Sequence, residues 1–433
     1  MPSTLGATMV TEVTVCGPLQ LRSVKRTQKG TTMELDLSSM MTDPTLANNP
    51  WPVYAGLRDH APAIAAPFSR SRSGKVVILS RYEDVRKALS APELFEANGA
   101  NEMGQQRPVI PLDIDPPNHA KYRRLLDPLF SPRAVRALAD ETRSIAKELL
   151  ATVGADGTTD FHAAFTVPFP CRVFLKLVGF PVEDLDKFLT WKDALVHAED
   201  VAGSDDLNVL RELWKKTANE VYAYFDLLLD RRIEEPADDL ATRLVQAQIE
   251  GAPLSRNEML DILYLQMTAG MDTVTATLDC VLTRLAKDAE LQAAARSAPE
   301  KMRKILEELL RIETPVSLVL RYATEDMVIH DVEIAKGDLV MLMLAAANND
   351  DREFEDPLTL DVDRENTRHL VFGGGVHRCL GSHLARQELS IALEEIFATL
   401  GPFRVPEGEK VDFVPGIRTA HSLPLEWKAS VTT

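Results

Sequence analysis

The stretch that most constrains this chain lies near its C-terminal end: Phe372-Gly-Gly-Gly-Val-His-Arg-Cys379-Leu-Gly381. Consecutive glycines let the backbone bend sharply and approach a flat partner closely, and they offer no side chain to pack. The next residues, SHLARQELSIALEEIFATL, place Leu384, Leu389, Leu393, Ile396 and Leu400 near one face, the pattern of an amphipathic helix on a core. Cys379 thus stands just before a helix N-terminus, with His377 and Arg378 beside it. Helix-end amides and nearby positive charge favour a thiolate, the form that ligates metal.

Three readings of Cys379 compete at this level. A buried structural cysteine is the ordinary case, but the glycine run fits it poorly. A zinc site could draw on His377, Cys379 and His383, yet that set and spacing do not match the usual zinc geometries. A single axial thiolate to heme iron needs one cysteine, an open backbone and no partner cysteine.

The other cysteines, Cys16, Cys171 and Cys280, are widely scattered, so no disulfide framework is expected and a reduced, cytoplasmic setting is. The 433 residues carry 48 Lys+Arg against 65 Asp+Glu, a formal charge of −17, which disfavours a chain-wide nucleic-acid or anionic-membrane surface. With 45% hydrophobic and 26% charged residues the chain is globular rather than disordered. It lacks any long apolar run and has nothing near its start that resembles a signal peptide, so no membrane anchor is expected.

Residues 1–43 read as a flexible N-terminal tail, with Met33 a candidate start, and residues 44–433 as a single domain. Lys75–Leu79 (KVVIL) is a strand and the following YEDVRKALS a helix. Residues 93–118, rich in Gly, Pro, Asn and Gln, read as a long functional loop. Helical periodicity dominates from about 119 to 312, broken near Gly154–Gly157, Gly179–Pro181, Gly203–Ser204 and Pro236. Strand-like runs follow at Met327–Ile334 and Leu339–Leu344, with Lys336-Gly337-Asp338 as a turn. The fold class is therefore mainly α with a smaller β-rich part.

Residues 257–287 read as one long helix, apolar nearly all round at its middle and hence buried. Within it lies Ala269-Gly270-Met271-Asp272-Thr273. A mid-helix glycine costs about 1 kcal/mol relative to alanine, and a buried carboxylate is costly unless paired. Thr268, Thr273, Thr275 and Thr277 add hydroxyls able to bond back to the helix backbone. Close helix packing around a satisfied aspartate would account for the segment if it stood alone.

Together these segments resemble the cytochrome P450 monooxygenases. The pattern F-x-x-G-x-x-x-C-x-G, here Phe372, Gly375, Cys379 and Gly381, resembles that family's heme-ligand signature, and the resemblance covers roughly 44–428. It implies a fold enclosing heme b between a long central helix and a proximal loop, with the Cys379 thiolate on the iron favouring O–O cleavage. Phe372 would pack near the sulfur. The 269–273 segment is similar to the family's (A/G)-G-x-(D/E)-T motif: Ala269 and Gly270 let the helix pass close to heme, while Asp272 and Thr273 relay protons toward oxygen. By resemblance His119, Arg123, Arg321 and His377 hold the heme carboxylates. Glu308-Leu-Leu-Arg311 with Arg364 would form a scaffold network.

The same resemblance implies an O2-dependent, monomeric monooxygenase acting on an apolar small molecule, a lipid, terpenoid or steroid-like compound. Electrons would come from ferredoxin and ferredoxin reductase, since no flavin- or nicotinamide-binding fingerprint is evident. The basic run His119, Lys121, Arg123, Arg124, Arg133 and Arg136, with His377, Arg378 and Arg386, suits an acidic ferredoxin. Substrate contacts are expected from the 93–112 loop, residues 190–205, Leu265–Met271, Val316–Leu320 and Ile417–Ser422, with Met103, Val109, Ile110, Leu112, Met267, Met271, Leu318 and Val319 as lining. Arg418 would meet a substrate carboxylate or face water. Two other classes stand beside this: a heme- or lipid-binding protein without turnover, and a zinc-dependent hydrolase.

Overall fold

The KVVIL segment is apolar on both faces, as a strand covered on both sides requires, and Val76, Val77, Ile78 and Leu79 are all fully buried. In the computed structural model it is the second strand of a five-stranded sheet made of β1 (Ala63–Pro67), β2 (Lys75–Leu79), β3 (Phe95–Glu96), β4 (Val319–Ala323) and β5 (Leu339–Leu342). The order is β1-β2-β5-β4-β3. β5 runs parallel to β2, with Leu339 opposite Val76, and antiparallel to β4, with Val340 opposite Arg321. The structure describes residues 44–429 except 69–70, 101–103 and 155–156, and a hairpin pairing Val24–Thr27 with Gly30–Met33. The tail expected over 1–43 otherwise lies outside the described residues.

The helices that position the site are α1 (Tyr82–Ser90), α2 (His119–Leu126), α3 (Ala139–Val153), α4 (Pro168–Val178), α5 (Leu185–Val196), α6 (Leu207–Glu234), α7 (Arg256–Gly270), α8 (Thr273–Lys287), α9 (Met302–Glu313) and α10 (Ser382–Thr399). Their ends fall where the sequence places breakers. α4 stops at Gly179, whose φ of 94° is the left-handed cap that glycine adopts without penalty. α7 starts with a capping box, Ser255 and Glu258 satisfying each other's backbone N–H groups.

Two expectations are corrected here. Residues 327–334 do not form one strand but a tight hairpin, Met327–Ile329 against Val332–Ile334, turned by His330 (φ 47°) and Asp331 (φ 64°). Residues 257–287 do not form one helix: α7 ends at Gly270, and Met271 and Asp272 form a turn before α8.

α7 and α8 run through the core. α8 buries Val274, Leu278, Val281, Leu282 and Leu285 in a cluster shared with Leu389, Leu393 and Ile396 of α10. α7 contributes Leu263, Tyr264 and Met267 to a second cluster, in which Tyr264 stacks on Tyr222 of α6 at 4.8 Å. A second sheet pairs Pro424–Ala429 with Leu400–Arg404 and Gly157–Asp160, closing the C-terminal segment onto the chain after α3.

The expected scaffold network is present. Arg311, fully buried, donates to both carboxylate oxygens of Glu308 (2.9 and 3.0 Å) and to the carbonyls of Asn348 and Pro357. Arg364 Nε completes it on Glu308 Oε2 at 3.0 Å. Each charge is paired and its hydrogen bonds are used, the condition under which a buried ion pair is tolerated.

Candidate active site

The cysteine loop is held by its own backbone. Cys379 N–H donates to Phe372 O at 2.9 Å, and Arg378 N–H to Gly375 O at 3.3 Å. Gly375 has a φ of 60°, and a Cβ there would stand 2.2 Å from the Leu89 carbonyl oxygen of α1. Only glycine meets both demands, so this residue seats the loop on α1. The Arg386 guanidinium lies 4.2 Å from the Phe372 ring centroid.

Cys379 is exposed, whereas Cys171 and Cys280 are buried; Cys16 lies outside the described residues. The helix-end argument predicts a lowered thiol pKa for Cys379, but the balance goes the other way. Desolvation pushes it up, against the Gly381 N–H and the charges of Arg123, Arg386 and Arg378. The positive charges around the loop oppose that shift without cancelling it.

The four groups expected at the heme carboxylates converge. The His119 and His377 rings are 4.5 Å apart, and His377 Nε2 lies 2.9 Å from Asp115 Oδ1. Arg123 Nη1 donates to the Arg378 carbonyl at 2.7 Å, tying α2 to the cysteine loop, while its Nε pairs with Asp127. Arg321 is buried and donates to the Leu320 carbonyl at 2.7 Å. Desolvation lowers its pKa, opposed by Asp115 and Asp113. His119 is buried with Nε2 lacking any hydrogen-bond partner among the described residues. Desolvation, then the charges of His377 and Arg123, push its pKa down to about 4. A buried ring nitrogen left without a partner is uncommon and calls for one. Asp115 was missed by sequence reasoning; the acidic DID run just before the histidine was its only signal.

The helix break sorts the residues of the central motif onto different sides. Ala269 is exposed and Thr273 half-buried, its Oγ1 donating to Ala269 O at 3.0 Å. Asp272 is fully buried. Its Oδ1 lies 2.9 Å from Lys192 Nζ and 3.2 Å from His197 Nε2 at the end of α5, and its Oδ2 has no partner among the described residues. Burial would raise the Asp272 pKa, but the His197 hydrogen bond and the Lys192 charge hold it well below the usual carboxylate range. Lys192 is held protonated in turn, its burial outweighed by Asp272 and Asp193. Gly270 packs against Phe174 of α4: a Cβ would meet its ring at 3.1 Å.

The zinc arrangement does not form. No group of three His, Cys, Asp or Glu able to hold a metal ion occurs among the described residues, and His377 turns to Asp115. Of the expected lining residues, Met267, Met271 and Val109 are fully buried and Ile110 nearly so, all in one apolar cluster. Leu112, Leu318 and Val319 are half-buried, and Met103 lies outside the described residues. The bridge between Val316 and Ile417 brings two of the expected substrate segments together. Arg418 neither faces water nor is free for a substrate; it is buried, pairs with Glu313 Oε2 at 2.5 Å and donates to the Ala47 carbonyl. A cleft of about 940 Å³ opens between α6 and the 99–113 loop, lined by Arg72, Arg107, Arg211, Trp214, Lys215 and Tyr322 among others.

The chain is similar to known proteins over most of its length. A family profile described as Cytochrome P450 matches residues 69–417. A probable cytochrome P450 127A1 of Sinorhizobium fredii is 34% identical over 379 residues, covering 86% of this chain and 89% of its own length. The mycinamicin IV hydroxylase/epoxidase of Micromonospora griseorubida is 35% identical, covering 79% of this chain and 87% of its own. The solved structure of CYP109E1 from Bacillus megaterium in complex with testosterone has a TM-score of 0.79 at 27% identity, covering 88% of this chain and 99% of that one. The chain belongs to the cytochrome P450 family. It is a monooxygenase-family oxidoreductase that uses heme, with the iron ligated by a cysteine.

The residues present fit that group. Among the described residues they offer an exposed cysteine among arginines, a buried imidazole nitrogen without a partner, a buried arginine with no carboxylate bonded to it, and an exposed alanine on the central helix.

Proposed function

We propose that this protein inserts one atom of O2 into an apolar small molecule, hydroxylating or epoxidising a lipid, terpenoid or steroid-like substrate, with Cys379 as the iron ligand. The observation that carries this reading is Asp272: a fully buried carboxylate paired with Lys192 and His197, one residue from a hydroxyl on the other side of a helix break. A carrier of heme or lipid gains nothing from a buried charge that needs Lys192 and His197 to hold it. Bound heme supplies oxygen activation, tuned by the thiolate.

The chain's own groups supply the rest. His119, Arg123, Arg321 and His377 orient the heme carboxylates. Gly375 and Phe372 shape the loop beneath, and Ala269 with Gly270 keeps the central helix slim above. Thr273 Oγ1 stands on the open side, its proton on Ala269 O at rest; as that proton moves to the open side, one from Lys192 passes through Asp272 to replace it, Lys192 and His197 being 6% and 13% exposed beside Asp272.

The named relatives agree with such substrates: one acts on mycinamicin IV and another is solved with testosterone. Electrons arrive from a separate ferredoxin and its reductase, docking where exposed arginines surround the cysteine loop. Free buried thiols at Cys171 and Cys280 favour a reducing, cytoplasmic location.

Reduced protein under carbon monoxide is expected to show the red-shifted Soret band of a thiolate-ligated heme, lost in Cys379→Ser. Thr273→Ala should retain heme yet divert oxygen to peroxide. Normal product coupling in that variant would sink the relay. A heme spectrum without substrate-dependent NADPH consumption, given surrogate ferredoxin and reductase, would favour the carrier reading instead.

A further inference from the structure

Helix α4 crosses the break between α7 and α8 and touches it at two points. Phe174 lies against Gly270, so close that a Cβ would stand 3.1 Å from its ring. One turn earlier on α4, Cys171 Sγ lies 3.6 Å from Met271 O, the carbonyl of the first residue in the break. That oxygen also accepts from Thr275 Oγ1 at 3.2 Å, and the backbone ladder resumes with Ala276 N–H donating to Asp272 O at 2.9 Å. A buried carbonyl at a helix break must find donors outside the ladder, and here a thiol from another helix is one of them.

Cys171 is fully buried, and burial keeps it a neutral thiol, hence a donor. It sits within electrostatic reach of Lys192 and Asp272. A cysteine suits the position because it packs as a small hydrophobe among Phe174, Leu175 and Met271 while still offering a weak S–H.

We propose that Cys171 is a positioning residue for proton delivery. Its thiol, with the Phe174 ring on Gly270, clamps the break so that Asp272 faces Lys192 while Thr273 faces the open side. The inference rests on the relay reading of Asp272 and Thr273, but the clamp has readouts of its own.

Cys171→Val removes the donor at similar volume, and Cys171→Ser keeps one. In heme-loaded protein, amides of residues 271–276 should exchange hydrogen about threefold faster in the valine variant, the scale of one weak S–H···O bond. The serine variant should stay near wild type. Peroxide released per NADPH should rise by about the same factor in valine and return toward wild type in serine, with heme content and substrate affinity unchanged.

The proposal is overturned by unchanged exchange, by serine behaving as valine, or by faster exchange with unchanged peroxide. If the valine variant does not fold, the S–H stretching band decides, isolated by difference between wild type and Cys171→Ser. A band red-shifted from that of a thiol in apolar solvent supports the bond, and an unshifted band refutes it. Failure of the relay itself shows separately, as unaltered coupling in Thr273→Ala while Cys171→Val still speeds exchange.

Discussion

Two buried carboxylates in this protein meet opposite fates. Asp272 has a lysine and a histidine on it and stays ionised. Glu388 on α10 is 3% exposed, its Oε2 has no partner among the described residues, and burial raises its pKa well above the ordinary value. Partners, not burial alone, decide which acid carries charge. Because the folded pKa of Glu388 is raised, the folded state binds the extra proton above pH 4–5. Its contribution is therefore fully present below the unfolded pKa and lost as pH rises toward the folded pKa, by up to about 1.4 kcal/mol per pH unit. Glu388→Gln should shift the urea midpoint upward at pH 8 and leave it nearly unchanged at pH 5; an equal shift at both would contradict the neutral acid. The sequence marked Asp272 as an acid in need of a partner, but Lys192 lies 80 residues away, and no local pattern points one side chain at the other.

At the scale of elements, legibility followed locality. The cysteine loop could be read because its requirements are local: left-handed glycines, a ligand, and a helix directly after. The Glu308–Arg311 pair could be read because it is spaced i, i+3 on one face. The break after Gly270 could not, since the hydropathy pattern runs on through it. Phe174 and Cys171, which touch it, belong to a helix some hundred positions earlier. The loop's dependence on Gly375 gives a direct test. Gly375→Ala incurs about 1–2 kcal/mol for its left-handed backbone plus a collision with the Leu89 carbonyl. Gly373→Ala, at φ 65° with 3.9 Å of room, incurs only the backbone cost. The first should lower both heme retention and thermal stability clearly more than the second. Equal losses would mean that the seat on α1 does not matter.

Across the whole molecule, charge is unevenly spread. The chain carries −17 overall, yet Arg133, Arg136 and Arg378 are exposed and make no ion pair among the described residues. They lie on one side of the fold: Gln387 of α10 donates to the Val135 carbonyl, setting the Pro132–Ala137 helix against α10, and Arg123 reaches the Arg378 carbonyl from α2. An acidic electron donor approaching an acidic protein is favoured at such a face, so the patch should govern encounter rate more than final affinity. Reversing two of its charges, Arg133→Glu with Arg136→Glu, should slow reduction by ferredoxin about tenfold at low salt. The gap should shrink toward zero as ionic strength rises and the Debye length falls. Reduction by dithionite, which needs no docking, serves as the internal control and should not change. Stopped-flow reduction at several salt concentrations separates the cases: a deficit that persists at high salt, or one shared with dithionite, would place the ferredoxin on another face.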